Sequence, residues 1–308
     1  MPADRLSLLT LAALLAALAA GFPSTASAQV SIRKSGGTSQ QTSAASSSVS
    51  RPATQPVVGP VPYVIQGTVA DRGGSTQYNN VGQLLMSLKT AGNSSCTGTL
   101  ISPTWVLTAA HCLAIPGAKL NGLQFRVNGR TYTSRKWYVH PAYISTNFSV
   151  GNDIALVQLT EAVTGVTYGK LPTVAPKVGD TIILVGYGRA GTGWDGQTGT
   201  SGILFDISNP TLVGWGAGRE DTVGTKRIGS CKLDSVTSMH IEWFFTQEQE
   251  SNTAPGDSGG PAFNANGEIV GVTSGGSAAS AGWGDQSFDT RVDTFNDWIT
   301  SITGVTPG

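Results

Sequence analysis

A serine hydroxyl is a poor nucleophile at neutral pH and attacks a carbonyl only when a nearby base takes its proton. The stretch Asn252 to Pro261, "NTAPGDSGGP", presents Ser258 inside a glycine-rich run, so any base must come from elsewhere in the chain. Only three histidines are available. His111 sits in "LTAAHC", Leu107 to Cys112, where an apolar strand ends in a tight turn. His140, in "VHPAY", and His240, in "TSMHIEWFF", lack comparable neighbours and are read as a loop residue and a strand residue. Asp153, in "GNDIALVQL", stands immediately before an apolar strand, at an entrance where a carboxylate can become buried. A buried aspartate beside an imidazole holds the correct tautomer and stabilises the imidazolium that forms on proton transfer. Together these residue types suit acyl transfer through a covalent acyl-enzyme.

Other chemistries fit less well. Gly256 to Gly260 also satisfies the G-x-S-x-G turn of α/β-hydrolases, but that fold needs its histidine after the serine, and no histidine follows Ser258. Strand and helix do not alternate as that fold requires. There is no Cys-x-x-Cys or His-x-x-x-His pair, so neither a metal site nor a cofactor is expected. The three cysteines allow one disulfide and one leftover thiol. Cys112 can pair with Cys96, and closing a loop of that size stabilises a fold by ~3 kcal/mol on the chain-entropy model.

"LTAAHC", "NDIAL" and "GDSGGP", in that order, resemble the chymotrypsin-like (trypsin-fold) serine proteases, here in the form of a secreted, bacterial-type precursor. "VHPAY" at Val139 to Tyr143 and "VGVTSGG" at Val270 to Gly276 extend the resemblance over the whole mature chain. It implies an all-β fold of two packed six-stranded antiparallel barrels with the reacting groups in the cleft between them. Ser258 would then be the nucleophile, His111 the general base and acid, and Asp153 the orienting carboxylate. The backbone N–H groups of Gly256 and Ser258 would form the oxyanion hole.

The resemblance also implies that Asp257 is the partner of a newly freed α-amino group. "VIQGT", Val64 to Thr68, resembles the mature start, so cutting after Tyr63 would free Val64 to pair with Asp257. Tyr63 is not a basic residue and Gln66 replaces a usual glycine, so a trypsin-like activator is not expected. Asn252, six residues before Ser258, falls at the base of the primary specificity pocket, with Thr253 and Gly276 in its walls. Its neutral side chain removes charge attraction, which argues against Arg or Lys preference. Ser274, Gly275 and Gly276 should bond to an extended peptide through their backbone, as a sheet edge does. Ala254 stands where many relatives carry a stapling cysteine, and Cys231 is expected to be a buried thiol.

The elements that must position these groups are short strands. Forty glycines, frequent turn dipeptides and short apolar runs point to β structure with few helices. In Gln124 to Tyr132, Phe125 and Val127 alternate with polar residues before Asn128-Gly129, a hairpin signal. Gly98 to Ile101, Trp105 to Leu107, Ile154 to Leu159, Thr181 to Val185 and Ile269 to Thr273 are further strand candidates. At the C-terminus Val292, Phe295, Trp298, Ile299 and Ile302 recur at helical spacing, predicting a terminal helix capped by Asp293 and packed on the last barrel. Arg189 to Gly224 is glycine-rich and is expected to be a surface insertion.

The chain begins with Arg5 and an apolar run from Leu6 to Ala20, followed by Pro23 and the small residues Ala26, Ser27 and Ala28. That pattern predicts an export signal over residues 1–28, and it falls short of the ~20 apolar residues needed to span a bilayer. Residues 29–63 are rich in Ser, Thr, Gln, Ala and Pro and read as a low-complexity pro-segment or linker. The remainder, 64–308, is the protease domain. A formal charge of zero and 12% charged residues, without a basic stripe, favour neither nucleic acid nor anionic lipid as a partner. The expected partners are polypeptide substrates and an activating protease, met outside the cytoplasm. The alternative function is a binding or adhesion module that keeps this fold without catalysis.

Overall fold

A chain of short alternating apolar runs must close its sheets on themselves to hide both the apolar face and the strand edges. The computed structural model describes residues 68–69, 78–89, 92–145, 151–189, 204–205, 213–214, 223–245, 250–277 and 285–308. The predicted export signal, the pro-segment, Tyr63 and Val64 lie outside these residues. So does most of the expected insertion between Arg189 and Gly224.

The first barrel uses β2 (Val81–Leu88), β3 (Gly92–Ser102), β4 (Trp105–Thr108), β5 (Leu120–Val127), β6 (Arg130–Val139) and β7 (Ala155–Leu159). It closes in the order β2-β3-β4-β7-β6-β5, every ladder antiparallel. Its interior is filled by Leu84, Leu100, Leu107, Phe125 and Leu156, none exposed by more than 1%. The Asn128-Gly129 signal holds: both residues take positive φ, 49° and 74°, and join β5 to β6. That turn twists in the same sense as the strands it connects.

The second barrel contains β8 (Thr181–Gly186), β11 (Arg227–Lys232), β13 (His240–Phe244), β14 (Pro261–Phe263), β15 (Ile269–Gly276) and β16 (Gln286–Arg291). Its six strands run in the order β11-β8-β14-β15-β16-β13. The six-strand wall is extended at its ends by two-residue strands, β1 (Thr68–Val69) and β12 (Ser235–Val236). Ile182, Leu184, Ile241, Trp243 and Val270 fill it, and Cys231 is buried among them as a free thiol, as expected. Burial raises its pKa well above the ordinary thiol value. Within the 189–224 region, β9 (Leu204–Phe205) and β10 (Val213–Gly214) pair with each other.

The C-terminal helix is present with two differences from expectation. A 3₁₀ turn at Asp293–Phe295 leads into α1 (Asn296–Thr303). Asp293 does not cap it; instead it forms a two-bond pair with Arg291, Nε to Oδ1 at 3.1 Å and Nη2 to Oδ2 at 2.6 Å. A guanidinium fork offers two charged donors, which outcompete one amide. Nor does the helix pack on the last barrel alone. Phe295 and Ile299 join the large core shared with the first barrel, and His140 after β6 packs edge-on against Phe295 and Trp298, with ring centres 5.0 and 4.9 Å away. The helix straps the end of the chain back onto the first barrel.

Ile299 is fully buried at that junction. Ile299→Ala is expected to destabilise the protein by ~2–5 kcal/mol through lost burial and the cavity left behind. Urea unfolding of the two proteins measures the difference.

Candidate active site

His111 is delivered by the end of β4. After Thr108 the chain turns through a short 3₁₀ segment, Ala110–Cys112, whose Ala110 and Cys112 are buried while the His111 ring keeps 21% of its surface. The Cys96–Cys112 disulfide forms as expected and ties this turn to β3. The only described group of metal-ligand types, Cys96, His111 and Cys112, is therefore a disulfide beside an imidazole.

Asp153 is reached through two consecutive residues with positive φ, Gly151 and Asn152, which swing the chain inward before β7. Its carboxylate is fully buried. Nδ1 of His111 lies 2.7 Å from Oδ2, the His111 backbone N–H donates to Oδ1 at 2.8 Å, and the Ser274 hydroxyl donates to Oδ2 at 2.5 Å. Burial by itself would raise the carboxyl pKa, but the bonds from His111 and Ser274 outweigh it and hold the group below its ordinary value. With Nδ1–H committed to Asp153, the neutral ring carries its lone pair on Nε2.

Ser258 sits on the β14 side of the second barrel, yet its backbone is bonded to the first. Its carbonyl accepts from the Thr97 N–H at 2.8 Å, and the Cys112 sulfur lies 3.7 Å from that carbonyl and 3.9 Å from Nε2 of His111. Gly259 follows with φ +79°, and a Cβ there would collide with the Thr108 hydroxyl and come within 2.5 Å of the Thr97 carbonyl. Glycine at this position is what lets the two barrels close on each other beside the histidine. Among the described residues, the N–H groups of Gly256 and Ser258 donate to nothing.

Asp257 points away from the cleft into the second barrel. It is buried, and it accepts from Gly188 N–H at 2.8 Å and Ala254 N–H at 2.9 Å. Burial pushes its carboxyl up to about 6 against the pull of those two donors and of the Arg227 guanidinium. Gly186 and Gly188 make room for it: a Cβ on either would strike the carboxylate. Ala254, where the stapling cysteine is absent, is held to Asp257 through its backbone instead.

Asn252 is fully buried, and its Oδ1 accepts from Ser287 Oγ at 2.5 Å and from Thr253 N–H at 3.0 Å. Thr253 donates its hydroxyl to Ser287 at 3.3 Å. Gly275 and Gly276 close β15, where Gly275 faces the Phe288 ring. Ser274 has a contact the sequence did not disclose, since its hydroxyl is committed to Asp153. Thr97 was missed altogether: its N–H holds Ser258, its hydroxyl donates to Gly256 O at 3.0 Å and accepts from Tyr187 N–H at 3.1 Å. A threonine in an alternating strand carries no signal of such a junction. His140 and His240 lie on α1 and β13 contacts respectively, away from the Asp153 carboxylate's bonds.

Residues 71–299 match the family model described as Trypsin. Brachyurin from Leptuca pugilator is 33% identical over 222 residues, covering 69% of this chain and 89% of that protein. Trypsin from Phaedon cochleariae is 30% identical over 231 residues, covering 68% and 79%. The solved structure titled HL collagenase superposes with a TM-score of 0.57 at 18% identity, covering 75% of this chain and 96% of that one, and supports the two-barrel fold. The similar proteins are mostly from arthropods and other eukaryotes, so they do not support the bacterial-type form expected from the sequence. The motif order, the two barrels and the match over most of the chain make this protein a member of the trypsin family of serine endopeptidases.

Proposed function

We propose that the protein is an exported precursor of a serine endopeptidase in which Ser258, His111 and Asp153 carry out peptide hydrolysis. The observation that supports this most is the 2.7 Å contact between His111 Nδ1 and the buried Asp153 carboxylate. It commits Nδ1–H to the carboxylate and so assigns the role of base to Nε2, on a ring whose neighbouring sulfur also touches the Ser258 residue. Ser258 Oγ attacks the scissile carbonyl as Nε2 takes its proton. The tetrahedral oxyanion is held by the N–H groups of Gly256 and Ser258, each worth about 2.7–4 kcal/mol in such sites. Collapse expels the amine, which takes the proton from His111, and leaves an acyl-serine. Water, deprotonated by the same imidazole, then releases the acid and restores the serine. Asp153 stays ionised throughout and supports the imidazolium.

Export by residues 1–28 and activation at Tyr63/Val64 complete this reading. A buried carboxylate that accepts from two amide donors among the described residues, beside a guanidinium, is a receptor for another cation, and the Val64 ammonium is the candidate. The substrates are polypeptides, bound along Ser274, Gly275 and Gly276 with a side chain directed toward Asn252 and Thr253.

Two outcomes check this. A serine-directed phosphonate is expected to label the processed protein at Ser258 and to leave Ser258→Ala unlabelled; equal labelling of both would remove the nucleophile assignment, and no labelling of either would favour a binding module. For the uncleaved precursor, Asp257 keeps a folded-state pKa near 6 against an ordinary 3.8. Its contribution to stability is then present below pH 4 and is lost as pH rises toward 6, by roughly 3 kcal/mol. Asp257→Asn should flatten that part of the profile in urea unfolding between pH 4 and 8, and an unchanged slope would count against this state of Asp257.

A further inference from the structure

The chain is neutral overall, but its charges are not shared evenly along it. From Tyr78 to Val163, the stretch that builds the first barrel, six cations (Lys89, Lys119, Arg126, Arg130, Arg135 and Lys136) stand against two carboxylates, Asp153 and Glu161. Asp153 is buried and already committed to His111 and Ser274. All six cations are exposed, and among the described residues none of them is paired with a carboxylate.

Closure of the barrel gathers these scattered cations around one groove. A cavity of about 500 Å³ opens along β2, β3, β5 and β6, and Ser87, Asn93, Ser94, Gln124, Arg126 and Thr133 are among the residues that line it. The strand register sets them side by side: Gln124 lies opposite Thr133, and Arg126 opposite Thr131. At one end the Lys89 N–H donates to the Lys119 carbonyl at 3.0 Å, which brings two lysines together just past Ser87. At the other end Arg126 and Arg130 flank the β5–β6 turn, and Arg135 follows Thr133 by two residues on β6. From Lys119 to Arg126 is about seven residues of extended chain, or ~24 Å.

The lining offers hydroxyl, amide and guanidinium groups and no carboxylate. Such a surface suits an extended anionic chain, because uncharged donors and acceptors can bond its backbone while cations at both ends meet its carboxylates. The groove also borders the reacting groups. Ser94 is three residues from Thr97, ~10 Å along β3, and the Thr97 N–H holds Ser258. Cys96, between them, is bonded to Cys112 beside His111.

We propose that this groove is a second substrate-binding surface, which takes an acidic stretch of the polypeptide whose scissile bond lies at Ser258. The uncharged lining between the two cationic ends favours a polypeptide over a sulfated polysaccharide, whose regular charge calls for cations along the whole length. Exposed charges of this kind steer and hold the substrate without entering the chemistry, and salt screens them. The inference rests on the reading of Ser258 as the nucleophile, and the test separates the two.

Peptides sharing one cleavable sequence carry a distal segment that is acidic before the scissile bond, acidic after it, or uncharged. Processed wild type should cleave one of the acidic peptides with a kcat/KM roughly tenfold above the uncharged one, as several exposed charge pairs of a few-fold each would give. That advantage should lie in KM and vanish at high salt. Arg126→Gln, and Lys89→Gln combined with Lys119→Gln, should each reduce it by about threefold, with hydrolysis of the uncharged peptide unchanged. Fluorescence anisotropy of the same peptides on Ser258→Ala, with and without Arg126→Gln, reads the surface independently of catalysis. No acidic advantage in wild type, or one that survives in both variants, overturns the groove and leaves the nucleophile in place. Tighter binding of a sulfated polysaccharide fragment than of any acidic peptide overturns it as well. If no peptide is cleaved but an acidic one binds Ser258→Ala in an Arg126-dependent way, the surface stands and the nucleophile reading falls.

Discussion

Asp153 holds a negative charge where it is fully buried, and that is affordable only because donors from two barrels converge on it. His111 contributes its ring and its backbone N–H from the first barrel. The second barrel contributes the Ser274 hydroxyl, and Thr290 steadies the Asp153 carbonyl at 3.1 Å. If the barrels separated, a carboxylate in an apolar entrance would lose a large part of its compensation, and removing one partner of such a group costs ~3–5 kcal/mol. The contact between the barrels and the orientation of the imidazole therefore depend on the same carboxylate. The same bonds that keep the charge tolerable also decide which nitrogen of His111 carries the proton toward Asp153.

The seam between the barrels is built on the same economy of buried polar groups. Thr97 sits on the first barrel with all of its polar atoms engaged: N–H to Ser258, hydroxyl to Gly256 and Tyr187, carbonyl to Thr108. The bonds to Ser258 and Gly256 restrain the loop that carries the serine, and the bond from Tyr187 ties Thr97 to the end of β8. Gly259 permits the approach, and the disulfide at Cys112 keeps the histidine turn from drifting away from β3. The loop has no stapling cysteine at Ala254, and its other side is held by the Asp257 carboxylate through Gly188 and Ala254. Both sides of the nucleophile are thus fixed by hydrogen bonds to buried groups.

Several elements were legible because local chemistry settles them. Asn128-Gly129 can close a two-residue hairpin whatever surrounds it, and β4, β7, β8 and β15 follow from short apolar runs bounded by turns. The motifs around His111, Asp153 and Ser258 were legible for a different reason, since together they match a family whose fold brings distant segments together. The cap expected at Asp293 was not borne out, because propensity says nothing of the Arg291 guanidinium two residues away that competes for the same carboxylate. The docking of α1 was also misjudged: helical spacing identifies which face is buried, but not which barrel receives it.

What the sequence determined by itself is the inventory: a nucleophile, a base and an acid on short β elements, a pair of cysteines able to lock the histidine turn, and glycines where the chain must pass close to another segment. What only the tertiary structure decided is which polar groups share a buried space. Thr97 against Ser258 and Ser274 against Asp153 are separated by long stretches of chain, and nothing local distinguishes them from other strand residues. Their positions follow from the closure and docking of the barrels, because only then does each buried donor or charge either find a partner or remain without one.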